Sequence, residues 1–344
     1  MNPPVNAALD STPADAAPDA AVDSPGNPSP DENAYEAVVI GGGAAGLSAA
    51  LILGRSRRRT LVVDAGAPRN APSAHLQGYL SRDGMSPAEF LAVGRSELDA
   101  YGVEVRPGEV TAVARDGDGF ALTLADGTAL TARRLVVATG LVDELPEIEG
   151  LAERWGRDVL HCPYCHGWEV RDRPFGVLAH PAMPAHQALM VSHWSPDVTL
   201  FLNGVELGGQ DARLLAAAGV RTVPGTVEGI AVEDDRVTGV RLAGGVTVGC
   251  EVVFAAATRL VTRDGVLRQL GAELYETPFG SFVKVDETGR TSVPGVWAAG
   301  NVTGPTEQVV NAAGAGYRAG TALHGDLLMG DLAARAARAD GRKD

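Results

Sequence analysis

The stretch Ala37-Val38-Val39-Ile40, running straight into Gly41-Gly42-Gly43-Ala44-Ala45-Gly46, constrains this chain more than any other. An apolar strand, a GxGxxG turn and a helical run from Leu47 to Leu53 together make the context that a dinucleotide fingerprint requires. Gly41 permits the tight turn, Gly43 lets a pyrophosphate approach the backbone, and Gly46 lets helix and strand pack closely. Ala44 and Ala45 complete the loop, and the helix N-terminus offers free N–H groups and a positive dipole end to phosphates. The next strand, Leu61-Val62-Val63, ends at Asp64. That acid lies about 20 residues past the glycines, where a carboxylate binds ribose hydroxyls. An α/β fold with a Rossmann unit follows.

The polar stretch from Ala65 to Met85 is too long for a tight connection and is expected to cover a bound cofactor. Ala65, Arg69, Asn70 and His75 are its contact candidates. Val103 to Val105 and Glu109 to Val113 alternate as strands, with Val110 a further candidate. Phe120 to Leu124, the turn Asp126-Gly127, and Ala129 to Ala132 predict a hairpin. Leu135-Val136-Val137 is a buried strand ending in the small-residue turn Ala138-Thr139-Gly140, expected against the cofactor. Val296 to Ala299 is another apolar strand, ending in Gly300-Asn301. Gln308 to Leu328 then reads as a long helix rich in small residues. An Asn after such a strand can reach a cofactor's polyol or phosphate, so Gly300, Asn301, Gln308 and Val309 join the candidates.

A second kind of chemistry sits in His161-Cys162-Pro163-Tyr164-Cys165-His166. Cys-x-x-Cys spacing depresses one thiol pKa and makes the pair reducible, and a flanking imidazole can hold or remove the proton. Half a zinc site is the alternative, but zinc needs four ligands and the only other cysteine is Cys250, so no metal is expected. Three cysteines do not make a secreted disulfide framework, which points to a reducing compartment with the cytoplasm as default. The formal charge of −14 argues against nucleic acid and anionic membrane surfaces as partners. No apolar run approaches a membrane span, and the N-terminus lacks the regions of a signal peptide. Residues 1–33 are mostly Ala, Pro, Asp and Ser with no Lys or Arg, too polar to order themselves, and are expected as a disordered tail.

The order of these motifs, from GxGxxG with its acid through Ala138-Thr139-Gly140 and Cys-x-x-Cys to Ala298-Ala299-Gly300-Asn301 with Gln308-Val309, resembles the thioredoxin reductase family of flavoproteins. The likeness runs from Tyr35 to about Leu328. It implies FAD on the first unit, a homodimer, and two Rossmann-like domains of three-layer ββα form. The FAD-binding domain would comprise 34–143 and 261–332. A degenerate NADPH-binding-like domain, 144–260, would be inserted between them and carry Cys162 and Cys165; 333–344 would be a tail.

Departures from that family are as informative. Its inserted domain carries a GxGxxA fingerprint for NADPH just after the cysteines, where this chain has Ala179-His180-Pro181-Ala182-Met183-Pro184. Proline has no N–H to offer a phosphate, and its ring fills the space a pyrophosphate would use. The family's His-Arg-Arg grip on the 2′-phosphate is replaced by Leu202-Asn203-Gly204. His166 stands where an acid usually follows the second cysteine, and Asn301 where Asp is usual. The Cys-Pro-Tyr-Cys-His-Gly-Trp stretch with a lost nicotinamide site looks like the dithiol oxidases of the gliotoxin and holomycin type. Those close a disulfide in a small natural product and pass the electrons through FAD to oxygen. By that resemblance Cys162 is the exchange cysteine and Cys165 the flavin-facing one, with His166 the candidate base. His161 could share that task or be a satisfied surface histidine. His180 and His186 read as structural, and Tyr164 and Trp168 as pocket walls or packing. The alternatives are a thioredoxin-disulfide reductase using NADPH or another donor such as ferredoxin, and a flavin-bound redox sensor. The substrate is a small dithiol or a protein dithiol.

Overall fold

A computed structural model describes residues 32–340 of the chain. The tail expected up to residue 33 therefore lies outside the described residues, apart from Glu32 and Asn33, as does 341–344. The first sheet has a parallel part in the order Glu104–Pro107, Thr60–Asp64, Ala34–Ile40, Ala129–Val137, Val296–Ala298. These strands are apolar runs rather than alternating ones because helices cover one face and a β-meander the other. Ala34–Ile40 and Val296–Ala298 are buried along nearly their whole length. The hairpin predicted at Phe120–Ala132 is present, between Gly119–Leu124 and Ala129–Val137. Its second strand does not stop at Ala132. It continues into the run read as a separate buried strand at Leu135. The burial pattern of this nine-residue strand changes midway from alternating to continuous. Its first half lies between the antiparallel Gly119–Leu124 and the start of Ala34–Ile40, and its second half is enclosed between parallel neighbours.

The second sheet is wholly parallel, in the order Arg221–Val223, Val198–Phe201, Phe175–Leu178, Val252–Phe254, Val159–Leu160. A three-stranded antiparallel layer, Val227–Glu233, Arg236–Leu242 and Thr247–Gly249, packs against it. The same plan thus occurs twice, and the α/β fold with two Rossmann-like units stands. Both crossings between the sheets pass through one antiparallel ribbon, Leu141–Glu144 with Arg259–Thr262.

Helix Ala44–Arg55 lies against the long helix Val309–Asp340. Their approach is so close that a Cβ on Gly316 would sit 1.9 Å from the Ala45 carbonyl oxygen. Small residues on this helix therefore serve contact between backbones. The helix also runs twelve residues beyond the Leu328 expected for its end, through a segment expected as a tail from 333. Ala333-Ala334-Arg335-Ala336-Ala337-Arg338 are strong helix formers and keep the helix growing even though exposed. A helix that the apolar pattern did not reveal, Pro87–Asp99, follows the long loop; Ser86 caps it by accepting from the Glu89 N–H at 3.1 Å.

Candidate active site

The carboxyl ends of the parallel strands in an open α/β sheet are where ligands bind, and here the carboxyl ends of both sheets open on one cavity of about 1060 Å³. From the first sheet come the turn after Ile40, Asp64, the turn 138–140 and Gly300-Asn301. From the second come His161 and Cys162, directly after Leu160, and the turn after Leu178. The edge strand Val159–Leu160 pairs with Val252–Phe254, and Ala255 N–H bonds the Leu160 carbonyl at 2.8 Å. That pairing is what delivers Cys162 to the cavity.

The glycine loop is built for a phosphate. Gly41 has φ +107°, and a Cβ there would lie 2.4 Å from the Ala138 carbonyl oxygen, so no other residue fits. Gly46 does not line the cavity; a Cβ on it would lie 1.8 Å from the Gly41 oxygen, so its role is to let helix and strand touch. Gly43 is the N-cap of Ala44–Arg55 with no side-chain cap, and the space beside it is open. The first-turn N–H groups therefore point into the cavity without a protein partner from the cap. Asp64 Oδ1 accepts from Gly42 N–H at 3.0 Å, tying the acid to the loop. These features fit the FAD that the resemblance implies: an uncapped helix end for the pyrophosphate and a carboxylate beside it.

Gly41, Gly43, Ala44 and Ala45, then Asp64 and Ala65, all line the cavity. So do Arg69, Asn70 and Val110, the turn Ala138-Thr139-Gly140, and Gly300, Asn301, Gln308 and Val309. His75 does not. Its ring turns outward, with Nδ1 3.0 Å from the Gly84 carbonyl oxygen. Arg69 lines the wall, but its guanidinium is held by both oxygens of Asp143 at 2.7 Å each, in a fork that joins the long loop to the ribbon. The Asn301 amide donates to the Gly304 and Pro305 carbonyls. Asp143, Ser73 and Glu109 also line the cavity, and the residue pattern had not marked them. Pairs such as Arg69 and Asp143, far apart in sequence, have no local signature.

Cys162 is the N-cap of a four-residue helix, Pro163–His166, with Pro163 at its first position. This turn places the two sulfurs 2.6 Å apart, with the Cys165 S–H donating to Cys162. That contact pulls the Cys162 thiol down to about 7. The same contact, with burial added, pushes the Cys165 thiol far up. Burial also pushes His166 and His161 below the ordinary imidazole value, so both are neutral near pH 7. His166 Nε2 lies 3.1 Å from Ser73 Oγ and its Nδ1 is buried without a partner, so neither nitrogen is bonded to a sulfur. His161 Nδ1 lies 3.2 Å from the Ala255 carbonyl oxygen. Tyr164 and Trp168 are exposed beside the cysteines; Tyr164 meets Trp194 edge-on and Trp168 carries Arg171 over its ring.

The turn Ala179–Pro184 closes on itself instead of opening to a ligand. His180 and Met183 form a bridge, Met183 N–H donates to the His180 carbonyl, and Ala182 N–H donates to His180 Nδ1 at 3.2 Å. Two N–H groups that a phosphate would need are thereby spent, and Pro181 and Pro184 have none. The helix behind it, His186–Val191, has six residues against twelve in Ala44–Arg55. His180 packs on Phe279 with ring centroids 5.2 Å apart. At the next strand end, the Asn203 side chain accepts from Val227 N–H, and Arg221 is paired with Asp197 and Thr199.

The family model described as pyridine nucleotide-disulphide oxidoreductase matches residues 35–190 and 206–316. Thioredoxin reductase tcpT of Claviceps purpurea is 35% identical over 315 residues, 86% of this chain and 95% of that protein. Thioredoxin reductase sirT of Leptosphaeria maculans is 31% identical over 319 residues, 88% and 97% of the two chains. The crystal structure of HlmI superposes with a TM-score of 0.86 at 50% identity, over 92% of this chain and 99% of that one.

Proposed function

The chain belongs to the pyridine nucleotide-disulphide oxidoreductase family, and from that premise we propose that it oxidises a small dithiol to a disulfide and delivers the electrons through FAD to oxygen. It is an FAD-dependent, thioredoxin reductase-like oxidoreductase acting on sulfur groups. One observation carries the oxidase direction. In the turn Ala179–Pro184, where a nicotinamide dinucleotide would seat its phosphates, the Ala182 and Met183 N–H groups are bonded to His180 and positions 181 and 184 are proline. Sulfur is then the remaining donor at the cavity.

A substrate thiolate attacks Cys162 Sγ of the oxidised pair; a mixed disulfide forms and Cys165 leaves as thiolate. The second substrate thiolate attacks the substrate sulfur of that mixed disulfide, closing the product and releasing Cys162. His166 is the base for the proton of the incoming thiol, which its neutral state permits; Ser73 Oγ donates to the His75 carbonyl, so the Nε2 facing it carries the hydrogen and Nδ1 is the accepting nitrogen. The bound FAD supplies a two-electron relay from the reduced pair to the acceptor. The sum is dithiol plus oxygen giving disulfide plus hydrogen peroxide. We place the joint between the two domains in the ribbon Leu141–Glu144 with Arg259–Thr262. A homodimer is part of the same proposal, and sedimentation of the holoenzyme tests it.

The names of the relatives carry the reductase direction, which makes thioredoxin-disulfide reduction the second reading. Anaerobic titration decides between them. A dithiol should bleach the flavin and NADPH should not, with one hydrogen peroxide formed per dithiol once air is admitted. Bleaching by NADPH overturns the proposal, and dithiol bleaching without turnover in air leaves a sensor.

A further inference from the structure

Gln308 makes a contact that a place beside the cofactor does not account for. It precedes the helix Val309–Asp340, and its side-chain amide spans both sulfurs. Its Oε1 lies 3.2 Å from Cys165 Sγ, and its Nε2 lies 3.5 Å from Cys162 Sγ. A primary amide presents a donor end and an acceptor end at fixed separation. The acceptor end shares the single Cys165 S–H with Cys162 Sγ, and the donor end is strengthened by a thiolate. Two neutral thiols leave the donor end facing a weak acceptor, and two thiolates leave the carbonyl facing a negative charge. Only an unlike pair suits both ends.

We propose that Gln308 is a catalytic residue of the dithiol centre, holding the reduced pair in its singly charged form with the charge on Cys162 and the proton on Cys165. This rests on Cys162 and Cys165 being the redox pair, but not on reaction direction or acceptor. The S–H contact is the largest cause of the lowered Cys162 thiol, and the Gln308 amide adds to that lowering. No bond forms or breaks in this role. For charge to appear on Cys165, its proton crosses to Cys162 over the 2.6 Å contact, and the amide touches both sulfurs throughout. The charged and titratable groups around the pair are Arg69 with its partner Asp143, His161 and His166 on either side, and Glu307 next to Gln308. None of them changes when only residue 308 is replaced, so comparing variants isolates the amide.

The test is the pH dependence of iodoacetamide alkylation of the reduced holoenzyme without oxygen, with the labelled cysteine identified by peptide mass spectrometry. In the native enzyme Cys162 takes the label, half-maximally at about pH 7. Gln308→Met keeps the length, removes both polar ends, and raises that midpoint by about one pH unit. Gln308→Glu sets a carboxylate against the thiolate, raises it further, and moves part of the label to Cys165. Gln308→Asn, whose amide stops a methylene short, gives the Met result while keeping polarity at the helix start, and flavin absorbance checks that FAD is retained. Equal midpoints in all four proteins overturn the proposal, as does alkylation of Cys165 first in the native enzyme. Undiminished dithiol turnover in Cys162→Ser and Cys165→Ser instead removes the redox pair on which it stands.

Discussion

Two turns in this molecule occupy equivalent places and have opposite character. Gly41–Gly46 follows a buried parallel strand, opens at an uncapped helix N-terminus, and leaves space beside Gly43. Ala179–Pro184 also follows a buried parallel strand, but it folds back through the His180–Met183 bridge and leads into a helix half as long. The difference lies in the turns alone: the strands of the two units are alike, while the first turn leaves N–H groups open at a helix end and the second bonds two of its own to His180. The second unit still serves the site, because its edge strand aims Cys162 at the cavity.

The comparison is most exposed to a matched pair of substitutions. Gly46→Val drives a side chain into the Gly41 carbonyl oxygen, 1.8 Å from an ideal Cβ, and should yield protein without visible flavin absorbance. Ala182→Val, in the exposed second turn, should retain FAD and shift stability by no more than about 0.5 kcal/mol. Flavin retained in the first variant, or lost in the second, would break the contrast.

Next in size, Cys165→Ser should bring dithiol turnover down to background while the protein stays yellow. Unaltered dithiol consumption removes Cys165 from the scheme. His166→Ala should slow flavin reduction by roughly 10²-fold at neutral pH, as removal of a general base does. An unchanged rate moves that task to His161 or to water.

A smaller effect concerns acid. Burial lowers His161, His166 and His180 in the folded chain, so the unfolded chain binds protons more readily. Stability is therefore complete above the unfolded imidazole pKa of about 6.5 and declines as pH falls through that value towards the lower folded ones. The melting temperature should drop by a few degrees between neutral and mildly acid pH. His180→Asn should lessen that drop; an undiminished drop would mean the acid sensitivity lies elsewhere. The smallest expected effect is none at all. Pro181→Gly with Pro184→Gly should still show no flavin bleaching by NADPH, because His180 still closes the turn and no cation stands at Asn203. Bleaching in that variant would mean the prolines alone separate the two turns.

Much of the fold was legible because its signals are local. Strands with continuous burial read as unbroken apolar runs, and the hairpin announced its turn with Asp126-Gly127. Local signals also explain what was read short. The helix Pro87–Asp99 had a start signature in Ser86-Pro87-Ala88-Glu89, but its apolar stripe is thin. The long helix had no stop signal at Leu328 and so went on to Asp340. His75 was a reasonable loop candidate with nothing in its neighbours to show that its ring would turn to Gly84.

The sequence by itself determined the glycine cradle, the Cys-x-x-Cys spacing, and the two prolines of the turn Ala179–Pro184, since each depends on which atoms a short segment possesses. Proline lacks an N–H in any fold, and the turn itself gives Gly41 a φ of +107° and brings the Gly41 oxygen to within 1.8 Å of a Cβ at Gly46. Tertiary structure alone decided that Arg69 is spent on Asp143 and that Gln308 reaches both cysteines. Those outcomes depend on groups brought within about 3 Å across long stretches of chain, and hydrogen-bond strength falls too steeply with distance and angle for spacing in sequence to predict it.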